Sequence, residues 1–268
     1  MNVVCVQLDS IWENKQANHD KVRALLDAAA PPKDSLVILS EMFATGFSMN
    51  VAGIDDTASR ETQNFLARTA ADYGVSVMGG VVTTQPDGKG RNECVVYAPG
   101  GNEIARYCKI HPFTPGEEAK HYVSGEGVKT FDLQGFTVAP FICYDLRFPE
   151  IFRAAVRRGA TLYTVIASWP VARIHHWIAL LKARAIENQA YVIGVNRTGR
   201  DPKLLHNGHS LIVDPGGEIL ADAGESEGII SAELSPQVVA DYRKQLPFLS
   251  DIHDEYLGAG AEAAVISR

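Results

Sequence analysis

Much of what marks a secreted, membrane-bound or nucleic-acid-binding chain is missing. Cysteine is scarce: Cys5, Cys94, Cys108 and Cys143 are scattered with no C-x-x-C spacing, which argues against a disulfide framework and suits reduced thiols in a cytoplasm. No apolar run approaches the ~18 residues of a membrane-spanning helix. Residues 1–9 have neither a basic n-region nor a long h-region with a small-residue cleavage site, so they read as a first strand and not as a secretory signal. Clustered positive charge is absent as well. Acidic residues outnumber basic ones, 32 to 25, for a net charge of −7 with no Lys/Arg run. Without a focused positive field, neither nucleic acid nor an anionic membrane is an expected partner. No repeat, low-complexity linker or shift in composition marks a domain boundary.

What is present is an ordinary globular composition. With 46% hydrophobic and 21% charged residues over 268 positions, the chain can bury roughly three quarters of its unfolded surface without disulfides or metals. Length alone allows two domains. With no boundary visible, a single domain over residues 1–268 is expected, with a C-terminal tail extending from about residue 246.

β-rich runs alternate with amphipathic stretches: strand 3–8, helix 14–29, strand 36–39, helix 57–73. A meander follows at 75–82, 92–97 and 103–107, with Pro99-Gly100-Gly101 turning between the last two. Residues 108–127 dissolve into His, Pro, Gly, Glu and Lys, a loop long enough to suggest a function. Alternation resumes with strand 136–142, helix 149–158, strand 161–166, helix 174–188 and strand 191–195. Two β-like runs, 210–213 and 229–234, flank the turn Asp214-Pro215-Gly216-Gly217 before a short helix at 236–245. Strands this apolar need cover on both faces. The expected architecture is therefore α/β, a sheet-on-sheet core flanked by helices.

Three residues stand where β-runs end, the place where α/β folds put their ligand sites: Glu41, Lys109 and Cys143. Each alone has a plain reading, as a helix cap or ion-pair partner, a solvated cation, and a packed thiol. Together they supply what acyl transfer from an amide requires: a base to take and return protons, a cation for the developing oxyanion, and a nucleophile for a thioester. Rival readings are a Cys–His protease or acyltransferase using one of His111, His121, His175, His176, His206 and His209, and a metal hydrolase built on His175-His176 or His206-x-x-His209. The first lacks a papain-like or caspase-like signature around the cysteine, and the second lacks a third ligand at recognisable spacing.

Over nearly its whole length the sequence resembles the nitrilase superfamily of carbon-nitrogen hydrolases. The resemblance rests on Leu39-Ser40-Glu41-Met42-Phe43, Tyr107-Cys108-Lys109-Ile110-His111 and Ile142-Cys143-Tyr144-Asp145-Leu146-Arg147-Phe148-Pro149, in the order Glu, Lys, Cys, and on the segment 183–191. It implies a four-layer α-β-β-α sandwich, a homodimer or larger assembly, and no cofactor or metal. Within the superfamily the chain is most similar to the bacterial ω-amidase (2-oxoglutaramate amidase) branch, through residues 41–49, His111 with Phe113, Glu118 before His121-Tyr122, and Ser168-Trp169-Pro170. Cys108 and Pro112 depart from the pattern.

The resemblance also implies a fourth site residue beyond the lysine, for which Glu117 and Glu118 are both offered and Glu118 fits better. It places the backbone N–H of Tyr144 beside Lys109 as an oxyanion donor. The implied substrate is a small amide carrying a carboxylate, to be met by Arg173 or Arg147, the latter equally able to pair with Asp145 as scaffold. Phe43 and Trp169 are expected to wall the pocket, and His111 to lie among the substrate-binding residues. Deaminated-glutathione amidase, N-carbamoyl amino-acid hydrolase and nitrilase are the nearer alternatives.

Overall fold

The computed structural model describes residues 1–253. In chain order its first half runs β1 (Asn2–Gln7), α1 (Lys15–Ala29), β2 (Leu36–Ile38), α2 (Val51–Ile54), α3 (Glu61–Tyr73), β3 (Ser76–Thr84), β4 (Gly90–Tyr97), β5 (Glu103–Cys108) and α4 (Glu118–His121). Next come β6 (Phe131–Leu133), β7 (Phe136–Ile142), α5 (Pro149–Arg157), β8 (Leu162–Ala167), α6 (Ile174–Asn188) and β9 (Tyr191–Asn196). A hairpin, β10 (Thr198–Arg200) with β11 (Leu205–Asn207), precedes β12 (Leu211–Val213), β13 (Ile219–Asp222), β14 (Gly228–Glu233) and α7 (Pro236–Gln245). Of the expected tail, residues 246–253 are described and include the short turn Phe248–Asp251; the rest lies outside the described residues.

Two mixed sheets form, in the orders β14-β1-β2-β3-β4-β5 and β13-β12-β9-β8-β7-β6. The period-2 alternation of strand side chains sorts the first sheet's residues into two cores. Val3, Cys5, Leu36, Ile38, Cys94 and Val96 face the second sheet and join its Val138, Val165 and Val195 in one cluster. Their neighbours Val4, Val6, Val37, Leu39, Val95 and Tyr97 face outward, onto Val22 and Leu26 of α1 and Phe65, Leu66 and Ala70 of α3. On the far side Phe152 and Ala155 of α5 and Trp177 and Leu181 of α6 cover the second sheet. The result is a four-layer α-β-β-α sandwich. Each fully buried Val, Leu or Phe contributes about 1.5–3 kcal/mol, so both faces of both sheets are sealed by apolar burial.

Several expected elements differ. The helix expected from residue 57 begins at Glu61, because the Asp56 carboxylate accepts the N–H groups of Thr62 and Gln63 at 2.9 and 3.0 Å and caps the helix there. The turn at Asp214 leads to β13, an edge strand absent from the sequence reading. The run at 229–234 instead crosses to pair antiparallel with β1 in the other sheet. β6 and the β10–β11 hairpin were likewise not expected; each strand has three residues, too short to carry an alternation.

Candidate active site

Parallel pairing of β1, β2 and β3 in one sheet and of β7, β8 and β9 in the other sends their C-terminal ends toward one rim. Glu41 follows β2, Lys109 follows β5, Cys143 follows β7 and Ser168 follows β8. Hydrogen bonds between the two halves close the site: Glu41 Oε2 accepts the Ser168 N–H at 2.9 Å.

The centre is a buried ammonium between two carboxylates. Lys109 Nζ donates to Glu41 Oε1 at 2.9 Å and to Glu118 Oε2 at 2.8 Å, and all three side chains are at most 1% exposed. Burial works to discharge Lys109, but Glu118 and Glu41 outweigh it and hold the ammonium well above its ordinary range. Glu118 also accepts the Phe113 N–H at 2.5 Å, which ties the 108–127 loop to the site. Glu117 is exposed and pairs with Lys120, so of the two candidates only Glu118 enters the cluster.

Cys143 sits at φ 47° on the sharp turn after β7, a left-handed conformation that costs a non-glycine residue free energy. Asp145 holds the turn: its carboxylate accepts the Ile142 N–H at 3.1 Å, the Tyr107 hydroxyl at 2.7 Å and the His111 N–H at 3.0 Å. Burial first, and the Glu41 carboxylate second, push the thiol well above its ordinary range; Lys109 and the Ser168 N–H pull the other way without prevailing.

Glu41 is placed by a close backbone approach. A Cβ on Gly80 of β3 would lie 2.3 Å from the Met42 nitrogen and 2.9 Å from the Glu41 Cα. Gly80→Ala is therefore expected to cost about 1–3 kcal/mol of stability by overpacking and, through a displaced Glu41, about 100-fold in turnover. Melting curves alongside kcat check both.

The cleft above the thiol encloses about 440 Å³ including its open mouth and is lined by Glu41, Phe47, Phe113, Tyr144, Trp169 and Arg173, among others. Arg147 also reaches it, with its guanidinium 4.8 Å from the Trp169 ring, and Arg173 lies 5.5 Å from the Phe113 ring. Arg147 does not pair with Asp145, whose oxygens are taken by Tyr107, His111 and Ile142; it hydrogen-bonds His176 Nδ1 at 3.3 Å. Among the described residues neither arginine has a carboxylate partner.

Two expected pocket residues are elsewhere. Phe43 is fully buried between sheet and helices, with His19 and Phe65 as ring neighbours, because the left-handed Met42 (φ 45°) turns the chain away from the rim. Phe47 takes the wall position, its ring centroid 5.2 Å from Lys109 Nζ. His111 does not line the cleft; its ring bonds Asp145 at 2.9 Å and stacks on Phe148 at 3.8 Å, supporting the turn that carries Cys143.

Among the described residues His206 is the one histidine on the cleft, and burial, reinforced by Arg197, pushes it down to about 4. Its Nε2 faces Asp201 at 3.8 Å. No group of three or more His, Cys, Asp or Glu among the described residues is placed to hold a metal. Sequence reading missed Asn92, whose side chain joins Glu41 to Glu118, and the structural part played by Ser168.

The chain is a member of the carbon-nitrogen hydrolase family, whose model matches residues 2–244. It is 35% identical over 254 residues to the 2-oxoglutaramate amidase of Bacillus subtilis (strain 168), covering 94% of this chain and 98% of that protein. It is 37% identical over 261 residues to omega-amidase YafV of Yersinia enterocolitica, covering 96% and 98%. Among solved structures, XC1258 of Xanthomonas campestris, a CN-hydrolase superfamily protein with an arsenic adduct in its active site, superposes with a TM-score of 0.89 at 32% identity over 94% of this chain and 97% of that one. The chain is an amidase of this superfamily, and no helix among its described residues is long and apolar enough to cross a membrane.

Proposed function

We propose that the protein is an ω-amidase that hydrolyses 2-oxoglutaramate or 2-oxosuccinamate to the keto dicarboxylic acid and ammonia, with Glu41, Lys109 and Cys143 as catalytic residues and Glu118 as their fourth member. The observation that carries this reading is the Lys109 ammonium locked between two carboxylates, one of which, Glu41, lines a cleft together with Cys143, while the two guanidiniums on that cleft have no carboxylate partner among the described residues. The thiol and this cluster suit amide hydrolysis, and the guanidiniums suit a substrate that brings its own carboxylate.

In the first step Cys143 Sγ attacks the amide carbon as Glu41 takes the thiol proton. The oxyanion rests between Lys109 Nζ and the Tyr144 N–H; each such donor is worth on the order of 3–4 kcal/mol. Glu41 then gives its proton to the nitrogen, the C–N bond breaks, ammonia departs and a thioester remains. Glu41 next takes a proton from water, the hydroxide equivalent adds to the thioester, and the acid leaves as Cys143 regains its proton. Glu118 keeps Lys109 charged and aimed. The reading takes the chain as one domain acting as a homodimer or larger assembly in a cytoplasm. Its four free thiols and the exposed Ile186 on α6 and Val238 on α7 are consistent with this.

The test is ammonia release from 2-oxoglutaramate, deaminated glutathione, N-carbamoyl amino acids and simple nitriles, with Cys143→Ala as the blank. 2-Oxoglutaramate is expected among the best substrates; a panel in which it ranks last sinks the ω-amidase reading. On that substrate Arg173→Ala and Arg147→Ala are expected to raise KM about 10- to 100-fold, the worth of a charge-assisted hydrogen bond. An uncharged amide of similar size should show no such penalty.

A further inference from the structure

Asn92 lies in β4, where it pairs with Val82 of β3, and its backbone carbonyl accepts the Lys109 N–H at 2.9 Å. The residue is 1% exposed and is not part of the cleft wall. Its side-chain amide points both donors at carboxylates: Nδ2 reaches Glu41 Oε1 at 2.8 Å and Glu118 Oε1 at 2.9 Å. The opposite end of the same amide is left bare, because Asn92 Oδ1 is buried with no hydrogen-bond partner. A buried orphan acceptor is destabilising, so packing alone gives no reason for an asparagine here.

We propose that Asn92 is a positioning residue of the hydrolysis, clamping the Glu41 and Glu118 carboxylates on either side of Lys109 so that Glu41 keeps its Oε2 on the Ser168 N–H, on the cleft that Cys143 also lines. An ammonium on a four-carbon stem is a point charge that attracts both carboxylates without fixing their orientation. A planar amide rooted in a central strand fixes both at once, and the same residue anchors the Lys109 backbone. The inference rests on the roles given above to Glu41, Lys109 and Cys143, and not on which amide is the substrate.

The experiment pairs Asn92→Ala with the isosteric Asn92→Asp, assayed on the best substrate of the panel. In Asn92→Ala, kcat is expected to fall about 100-fold while KM stays within about threefold. The acidic limb of its kcat/KM profile should move to higher pH, since a carboxylate that loses a donor holds its proton more tightly. Asn92→Asp, which turns the donors into acceptors, is expected to lose about 1000-fold at neutral pH and to recover part of that toward pH 5, where a protonated third carboxyl can again donate. Alkylation of Cys143 by iodoacetamide, followed by mass spectrometry, is expected to slow about tenfold in Asn92→Ala. Because it needs no substrate, this reading survives a failure of the substrate assignment. A kcat for Asn92→Ala within about fivefold of wild type with an unmoved pH profile overturns the proposal. So does full activity in Asn92→Asp, or a loss that merely tracks the melted fraction. If Asn92→Ala does not fold, the Asp variant decides.

Discussion

Lys109→Met is expected to cost the protein its chemistry and much of its stability together. The substitution keeps an unbranched side chain one atom shorter and removes the charge that, among the described residues, compensates Glu41 and Glu118, both buried and both within 3 Å of Nζ. Breaking a buried ion pair from one side costs about 3–5 kcal/mol, because the remaining charges stay desolvated. For a chain of this size that corresponds to a fall of about 5–9 °C in melting temperature. Turnover should fall about 1000-fold with the loss of an oxyanion donor. Lys109 sets the pH dependence: its folded-state pKa is raised well above 10.5, so its stabilisation is present below that value and is lost as pH climbs through the folded value, which thermal melts across an alkaline pH series would show. A variant as stable as wild type would mean that the cluster is not held together by charge.

Glu41→Gln is expected to stop the reaction halfway. Glutamine preserves the hydrogen bond from Asn92 but can neither accept the thiol proton nor deprotonate water, so both steps slow, hydrolysis of the thioester by about 1000-fold. Intact-protein mass spectrometry during turnover should show the acyl group retained on the chain, and peptide mapping should place it on Cys143. An adduct on Cys108, the half-buried thiol next to the lysine, would overturn the choice of nucleophile. Turnover at the wild-type rate would remove Glu41 from the mechanism.

Glu41, Lys109 and Cys143 were legible because each stands where an apolar run gives way to a polar one, and such transitions are local. So were most strands of both sheets, whose two-faced burial is written in their hydrophobicity. Asn92 was not, because a polar residue inside a strand reads as one more solvent-facing position until the neighbouring strand ends and the 108–127 loop close over it. Phe43 misled for the reverse reason: an aromatic two residues beyond Glu41 looks like a pocket wall, but a single left-handed residue, Met42, redirects it into the core. The pairing of Arg147 with Asp145 failed because Asp145 is claimed by Tyr107 and His111, more than thirty residues earlier in the chain. Partners of that kind are invisible to spacing. The routing of β14 across to β1 is likewise a choice between two edges that the strand's own residues do not encode.

Glu41, Lys109 and Asn92 hang from one sheet, while Cys143 and the Ser168 N–H hang from the other. A chain in which only one sheet has formed thus holds the Cys143 thiol without the Glu41 carboxylate, or the carboxylate without the thiol. On the proposed mechanism the site is complete only when the halves dock, so recovery of activity during refolding is expected to time that docking event.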